Sequence, residues 1–321
     1  MEVAPWAWPA VIGFIVGMLV LDLVVFHKEA HAVTMREAAT WSAVWIACGV
    51  GFGLIVWMIG GGAAAGEYFA GYVIEKSLSV DNIFVFALLF GYFAVPAAYQ
   101  HRVLFWGIFG ALILRAGFIA AGAAVLERFA VAIYVFGAFL VITGLRMALH
   151  KTEEVHPERN PVLRFLRRLV PMTSDYRGQR FFVRDAGRRL ATPMLAVLVV
   201  VETTDVVFAI DSIPAIFAIT RDTFLVFTSN AFAILGLRAL YFLLAGAMGR
   251  FIYLKPALAV VLVFVGAKML LSEVWHIPTW LSLAVIGTVL TVAIAASLLR
   301  TRGTQTLETS APEATSSEER P

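Results

Sequence analysis

Two apolar stretches of this chain carry acids that a lipid-facing helix would not tolerate. The first, Tyr72–Phe84, contains Glu75, Asp81 and Asn82. The second, Val201–Pro214, contains Glu202, Asp205 and Asp211. A charge at the centre of a bilayer costs about 2.5–3.5 kcal/mol on insertion scales, so five carboxylates facing lipid would cost more than ~10 kcal/mol. They must face a protein interior and share a proton, a cation or a basic partner. The set is all hard oxygen: carboxylates, the Asn82 amide, and the hydroxyls of Ser79 and Thr204. Such donors suit Mg²⁺, Ca²⁺ or Mn²⁺ rather than copper or zinc. Glu75, Asp81, Asn82, Glu202, Asp205 and Asp211 are therefore the expected metal ligands. Ser79, Thr204, Asp22, Arg115 and Arg238 are expected in support, the two arginines as mid-helix counter-charges. The structural alternative is that the acids pair with Arg115, Arg238 and Lys76 to pin helices together. The sole cysteine, Cys48, rules out an intrachain disulfide and a thiolate cluster, and there is no H-E-x-x-H motif.

Spacing supports convergence of the two stretches. Glu75 and Asp81 are six residues apart, as are Asp205 and Asp211, and each second acid precedes a polar residue and Ile. This pairs Glu75 with Asp205 and Asp81 with Asp211. An alternative register, taken from the arginines, places Asp81 opposite Asp205. Six residues turn a straight helix by about 240°, so Glu75 and Asp81 diverge unless their helix is broken. Pro214 and the hydroxyls of Ser77, Ser79, Thr203 and Thr204 make a break reasonable. A discontinuous helix would then offer free carbonyls beside the acids, as transporter ion sites do.

The elements that must hold these residues are membrane helices. Of 321 residues, 60% are hydrophobic and 15% charged, far from the balance of a soluble domain. Nine segments match the ~20 residues that a bilayer core requires: about 8–26, 40–61, 67–94, 102–123, 129–148, 191–218, 223–247, 252–272 and 279–299. Breaks such as Gly60-Gly61-Gly62 separate them. Asp22 in the first segment, together with Glu2 and the lack of early Lys or Arg, argues against a signal peptide despite Ala30-His31-Ala32. His27 and His31 read as interfacial polar residues, and Glu67 as a solvated residue at an outer helix end. Ten Lys and Arg fall between Lys151 and Arg189, which makes 149–190 a cytoplasmic loop by the positive-inside rule. That loop predicts an amphipathic helix at 161–170 and a hairpin at 181–190. The N-terminus is then outside, the C-terminus inside, and the polar tail 301–321 disordered. The charge pattern is an orientation signal and implies no nucleic-acid partner.

An internal repeat is also legible. Gly144–Met147 matches Gly266–Met269, Arg128-Phe129 matches Arg250-Phe251, and Leu114–Ala116 matches Leu237–Ala239, at offsets of 122 to 123 residues. The expected fold class is an all-α membrane protein. Two helices (1–61) precede a three-helix repeat (67–148), the basic loop (149–190), an inverted three-helix repeat (191–272) and a last helix (279–300). Inverted repeats are a transporter signature, with the site near the midplane.

The runs Glu75–Asn82 and Val201–Ala215, with Leu21–His27, Ala30-His31 and Arg180–Arg184, resemble the TerC family, also called the tellurium-resistance or Alx-like family. The resemblance covers roughly residues 15–300. It implies an inner-membrane protein linked to manganese export and to metal or tellurite resistance, related to LysE-type exporters. Carried onto this chain, the family's acidic positions are Glu75, Asp81, Glu202, Asp205 and Asp211. Mn²⁺ is then the expected transported substrate, with no permanent cofactor and no enzymatic activity. Proton exchange is the expected coupling. A non-transporting scaffold that docks protein partners through the basic loop is the competing reading.

Overall fold

A computed structural model describes residues 3–26, 33–129, 131–149, 161–185, 188–244, 252–271, 274 and 277–309. His27, His31, Arg250, Phe251 and the tail beyond 309 lie outside them, as do the side chains of Asp22 and Asp81. The elements are α1 (Ala7–Phe26), α2 (Met35–Tyr92), α3 (Ala97–Arg128), α4 (Ala132–Leu149), α5 (Pro161–Leu169), β1 (Phe182–Asp185), β2 (Arg188–Ala191), α6 (Pro193–Phe217), α7 (Thr223–Ile234), α8 (Leu237–Leu244), α9 (Leu254–Leu270) and α10 (Thr279–Thr309). Among the described residues, five helices are long and apolar enough to cross a membrane: α2, α3, α4, α6 and the 279–300 part of α10. Taken together, α7 and α8, bent by 41°, make a sixth.

The 58 residues of α2 are two limbs. As one rod they would run about 87 Å at 1.5 Å per residue, with residues 49 and 68 some 28 Å apart. Instead the Tyr68 hydroxyl donates to the Gly49 carbonyl at 2.9 Å. Gly61, with φ 76° and ψ −176°, reverses the chain in a conformation that favours glycine. The limbs 35–60 and 62–92 then lie antiparallel. Gly49 faces the Tyr72 ring and Gly53 the Phe69 ring, each too closely to admit a Cβ. The reversal sits in the expected Gly60–Gly62 turn.

The most extensive packing joins α4 to α9, α2 to α7 and α8, α3 to α6, and α2 to α6. Small residues let α4 and α9 approach backbone to backbone. A Cβ added at Gly266 would lie 2.7 Å from the Gly137 carbonyl oxygen, and one at Gly144 would lie 2.8 Å from that of Ala259. Gly266→Leu is accordingly expected to destabilise the protein by about 3 kcal/mol, the upper range for overpacking. Gly117→Leu, in open space, should be silent. Thermal melts of both purified variants in detergent provide the check, and equal melting would refute the close packing.

The breaks expected at Ser77 or Pro214 are not present. The second limb of α2 is helical from 62 to 92, and α6 runs unbroken from Pro193 to Phe217 with Pro214 in its final turn. The hydroxyls of Ser77, Thr203 and Thr204 bond the carbonyls of Val73, Val199 and Val200, four residues back, and stay within the ladder. The discontinuity lies instead between α7 and α8, at Leu235 and Gly236, where Gly236 has φ +81°.

Between α4 and α6, α5 and the β1–β2 hairpin (Phe182 against Ala191, Asp185 against Arg188) form a small polar layer. It rests on the α2–α3 turn. The Tyr176 hydroxyl donates to the Phe93 carbonyl at 2.7 Å, the Gln179 amide to that of Ala98 at 3.2 Å, and Arg102 stacks over Phe181.

Candidate functional site

The centre of the site is Arg115, midway along α3 and 1% exposed. Its Nε and Nη2 donate to the two carboxylate oxygens of Asp205 on α6, at 3.0 and 3.1 Å. Its Nη1 donates to Glu75 on α2 at 2.5 Å and to the Ser212 hydroxyl at 3.1 Å. The other Glu75 oxygen accepts from the Asn230 amide of α7 at 3.0 Å. Four helices thus converge on one guanidinium. A planar fork held bidentately by one carboxylate and end-on by another is geometry that arginine supplies and lysine does not. Glu75 is 0% exposed and Asp205 4%, so neither charge is relieved by solvent. With both acids ionised, one positive and two negative charges leave a net charge of −1 at the centre of the bundle.

The remaining expected residues separate. Glu202 sits one helical turn before Asp205 on α6 and turns toward α3. Its carboxylate fills the space where a Cβ of Gly110 would go, and its Oε2 is buried without a hydrogen-bond partner among the described residues. Asp211, half-buried, accepts from the Thr143 hydroxyl of α4 at 3.3 Å. Asn82 and Ser79 are buried. Arg238 lines a small cavity with Ala38, Trp41, His101 and Phe242 and does not take a place equivalent to that of Arg115.

Among the described residues, no group of three or more His, Cys, Asp or Glu forms a metal-holding cluster. The single carboxylate cage expected from the sequence is therefore not the arrangement of the described side chains. Arg115 occupies the space between Glu75 and Asp205. The rotation of α6 between Asp205 and Asp211, about 240° for six residues, sends these two acids to different neighbours. Ser212, Asn230 and Thr143 were not among the expected site residues. Asn230 had a signal, since it is the one amide in the apolar run 223–234, where an unpaired amide would be costly. Thr143 had none.

The model of the integral membrane protein TerC family matches residues 60–305. A membrane protein of Myxococcus xanthus, STKORF319, is 50% identical over 309 residues, which cover 96% of this chain and 97% of the relative. The protein called membrane-bound redox modulator Alx in Escherichia coli K12 is 47% identical over 291 residues, covering 88% of this chain and 91% of its own length. Its counterpart in Salmonella typhi is 46% identical over 299 residues, covering 90% and 93%. No solved structure matches. Because the family model spans most of the chain, including the helices that carry Glu75, Arg115 and Asp205, and the relatives align along nearly all of it, this chain belongs to the TerC family of integral membrane proteins.

Proposed function

We propose that this chain is a multi-pass inner-membrane transporter that exports a divalent cation, Mn²⁺ foremost, with its N-terminus outside and its C-terminus cytoplasmic. The observation that carries the reading is the buried Glu75–Arg115–Asp205 triad, in which two acids share one guanidinium. Two buried carboxyl groups with one guanidinium between them are balanced only by a further cation or a proton. Carboxylate oxygens in that position select hard ions, while a negative site repels an oxyanion such as tellurite. Arg115 stands in for the cation when none is bound and yields the carboxylates when one arrives. Protons taken up and released as the acids change partner supply the coupling.

The proposed transporter crosses the membrane nine times, and the packing supports an inverted repeat within it in which the second limb of α2 corresponds to α6, α3 to α7 and α8, and α4 to α9. Gly137 meets Gly266 while Gly144 meets Ala259, and Gly71 meets Ser229 while Gly107 meets Val201. Each pair exchanges partners as a two-fold axis requires, with offsets of 122 residues for the later helices and 130 for the first. The larger offset equates Glu75 with Asp205 and Asp81 with Asp211.

Flux in liposomes is the test. Reconstituted protein is expected to move Mn²⁺ faster than Ca²⁺ or Mg²⁺, and faster with an opposing pH gradient than without one. Folded protein that moves none of the three would refute transport. The scaffold, docking through its basic 149–190 loop, would then be the better account.

A further inference from the structure

The α7–α8 break is a second place where the membrane interior holds a charge. α7 ends at Ile234, Leu235 is extended (φ −54°, ψ 131°), Gly236 takes φ +81°, and α8 starts at Leu237. Carbonyls in the last turn of a helix lose their amide partners, and inside a membrane each must find another. Here the partner is the ammonium of Lys76, from the second limb of α2. It donates to the carbonyl of Ala233 at 3.0 Å and approaches that of Leu235 at 3.5 Å. The negative end of the α7 dipole points the same way. Trp45 of the first limb packs against the break. It is 3% exposed and packs so tightly on Gly236 that a Cβ there would overlap it. One residue before Lys76, Glu75 holds Asn230 of α7.

Carbonyls released by a broken helix are what transporters use to coordinate monovalent cations. In this chain the same geometry is filled by a cation tethered to the neighbouring helix. We infer that the α7–α8 break is a monovalent-cation site whose resident occupant is the Lys76 ammonium. This contact holds α8 at its angle to α7 and keeps Asn230 in register with Glu75. Removing the side chain back to Cβ opens the site to a free cation of matching chemistry, a small primary alkylammonium. The inference does not depend on Mn²⁺ transport.

The test uses full-length Lys76→Ala protein in nanodiscs, read by thermal midpoint and by amide exchange over 237–240. Exchange there is expected to rise about tenfold as the break loosens, and the midpoint to fall. Ethylammonium should recover at least half of both changes, whereas choline at equal concentration, too large for the site, should recover neither. Wild type should respond to neither. Lys76→Met keeps the stem but not the charge, and should show the same faster exchange without rescue. It carries the test if Lys76→Ala does not fold. Wild-type exchange in Lys76→Met, or ethylammonium acting no better than choline on Lys76→Ala, would overturn the proposal. Both readouts are independent of flux, so a failure here is separate from a failure of the transport reading.

Discussion

Arg115→Met is expected to cut the yield of folded protein more than any other single substitution at the site. The change leaves Glu75 and Asp205 facing each other with no counter-charge, at 0% and 4% exposure. Removing one partner of a buried ion pair costs about 3–5 kcal/mol, because the charge left behind stays desolvated. That is a large part of the ~5–15 kcal/mol by which proteins are ordinarily stable. Neutralising the acids as well should reverse the loss. The triple variant Arg115→Met, Glu75→Gln, Asp205→Asn holds only neutral groups, which can bond one another and Asn230, so folded yield should recover while cation flux stays absent. The measurement is the monodisperse fraction on size exclusion, beside flux for whichever variants fold. A single Arg115→Met variant as stable as wild type would show that the guanidinium does not hold the four helices together.

Asp205→Asn should separate stability from activity. Asn keeps the shape of Asp205 and one acceptor oxygen for Arg115, which retains Glu75. With both acids ionised in the wild type, the cluster then goes from a net charge of −1 to neutral, and folding should lose no more than about 1–3 kcal/mol, since the Asn amide leaves one Arg115 N–H unpaired while Glu75 keeps the guanidinium balanced. Transport should fall by more than this stability loss explains. The variant lacks the negative charge that favours a cation, and a contact to a charged group is worth about 1.5–3 kcal/mol, so flux should drop about tenfold to a hundredfold. Glu67→Gln, in the same limb of α2 as Glu75 and absent from the triad, should lower flux by less than about fivefold at matched protein levels; surface charges carry ~1 kcal/mol or less. Mn²⁺ uptake into inside-out vesicles, alongside a thermal melt, reads both quantities. Normal flux in Asp205→Asn would make the triad a structural staple and move the weight to the scaffold reading.

Much of the fold was legible without coordinates because bilayer physics acts locally. An apolar run of about 20 residues must hydrogen-bond its own backbone, so such runs are where helices are expected; five of the described helices, or six with α7 and α8 taken together, are long and apolar enough to cross a membrane, and Gly60–Gly62 marks the reversal of α2 at Gly61. Insertion cost likewise pointed inward for Glu75, Asp205 and Arg115, and Glu75 and Asp205 do meet. What only tertiary packing decided is how they meet. Whether two acids share a metal, a proton or a guanidinium depends on which helix passes between them. Here α3 places Arg115 there, 40 residues from Glu75 and 90 from Asp205. Arg238, its match in sequence, follows the break at Gly236 and lines a different cavity. The break itself could not be located from breaker residues. Pro214 sits inside α6 without breaking it, and the Ser and Thr hydroxyls bond back within their own helices. Leu235 and Gly236 can leave the helix because Lys76, 159 residues before Leu235, satisfies the carbonyls. A helix can be broken inside a membrane wherever another chain segment supplies the missing partner, and only the folded chain shows which segment arrives.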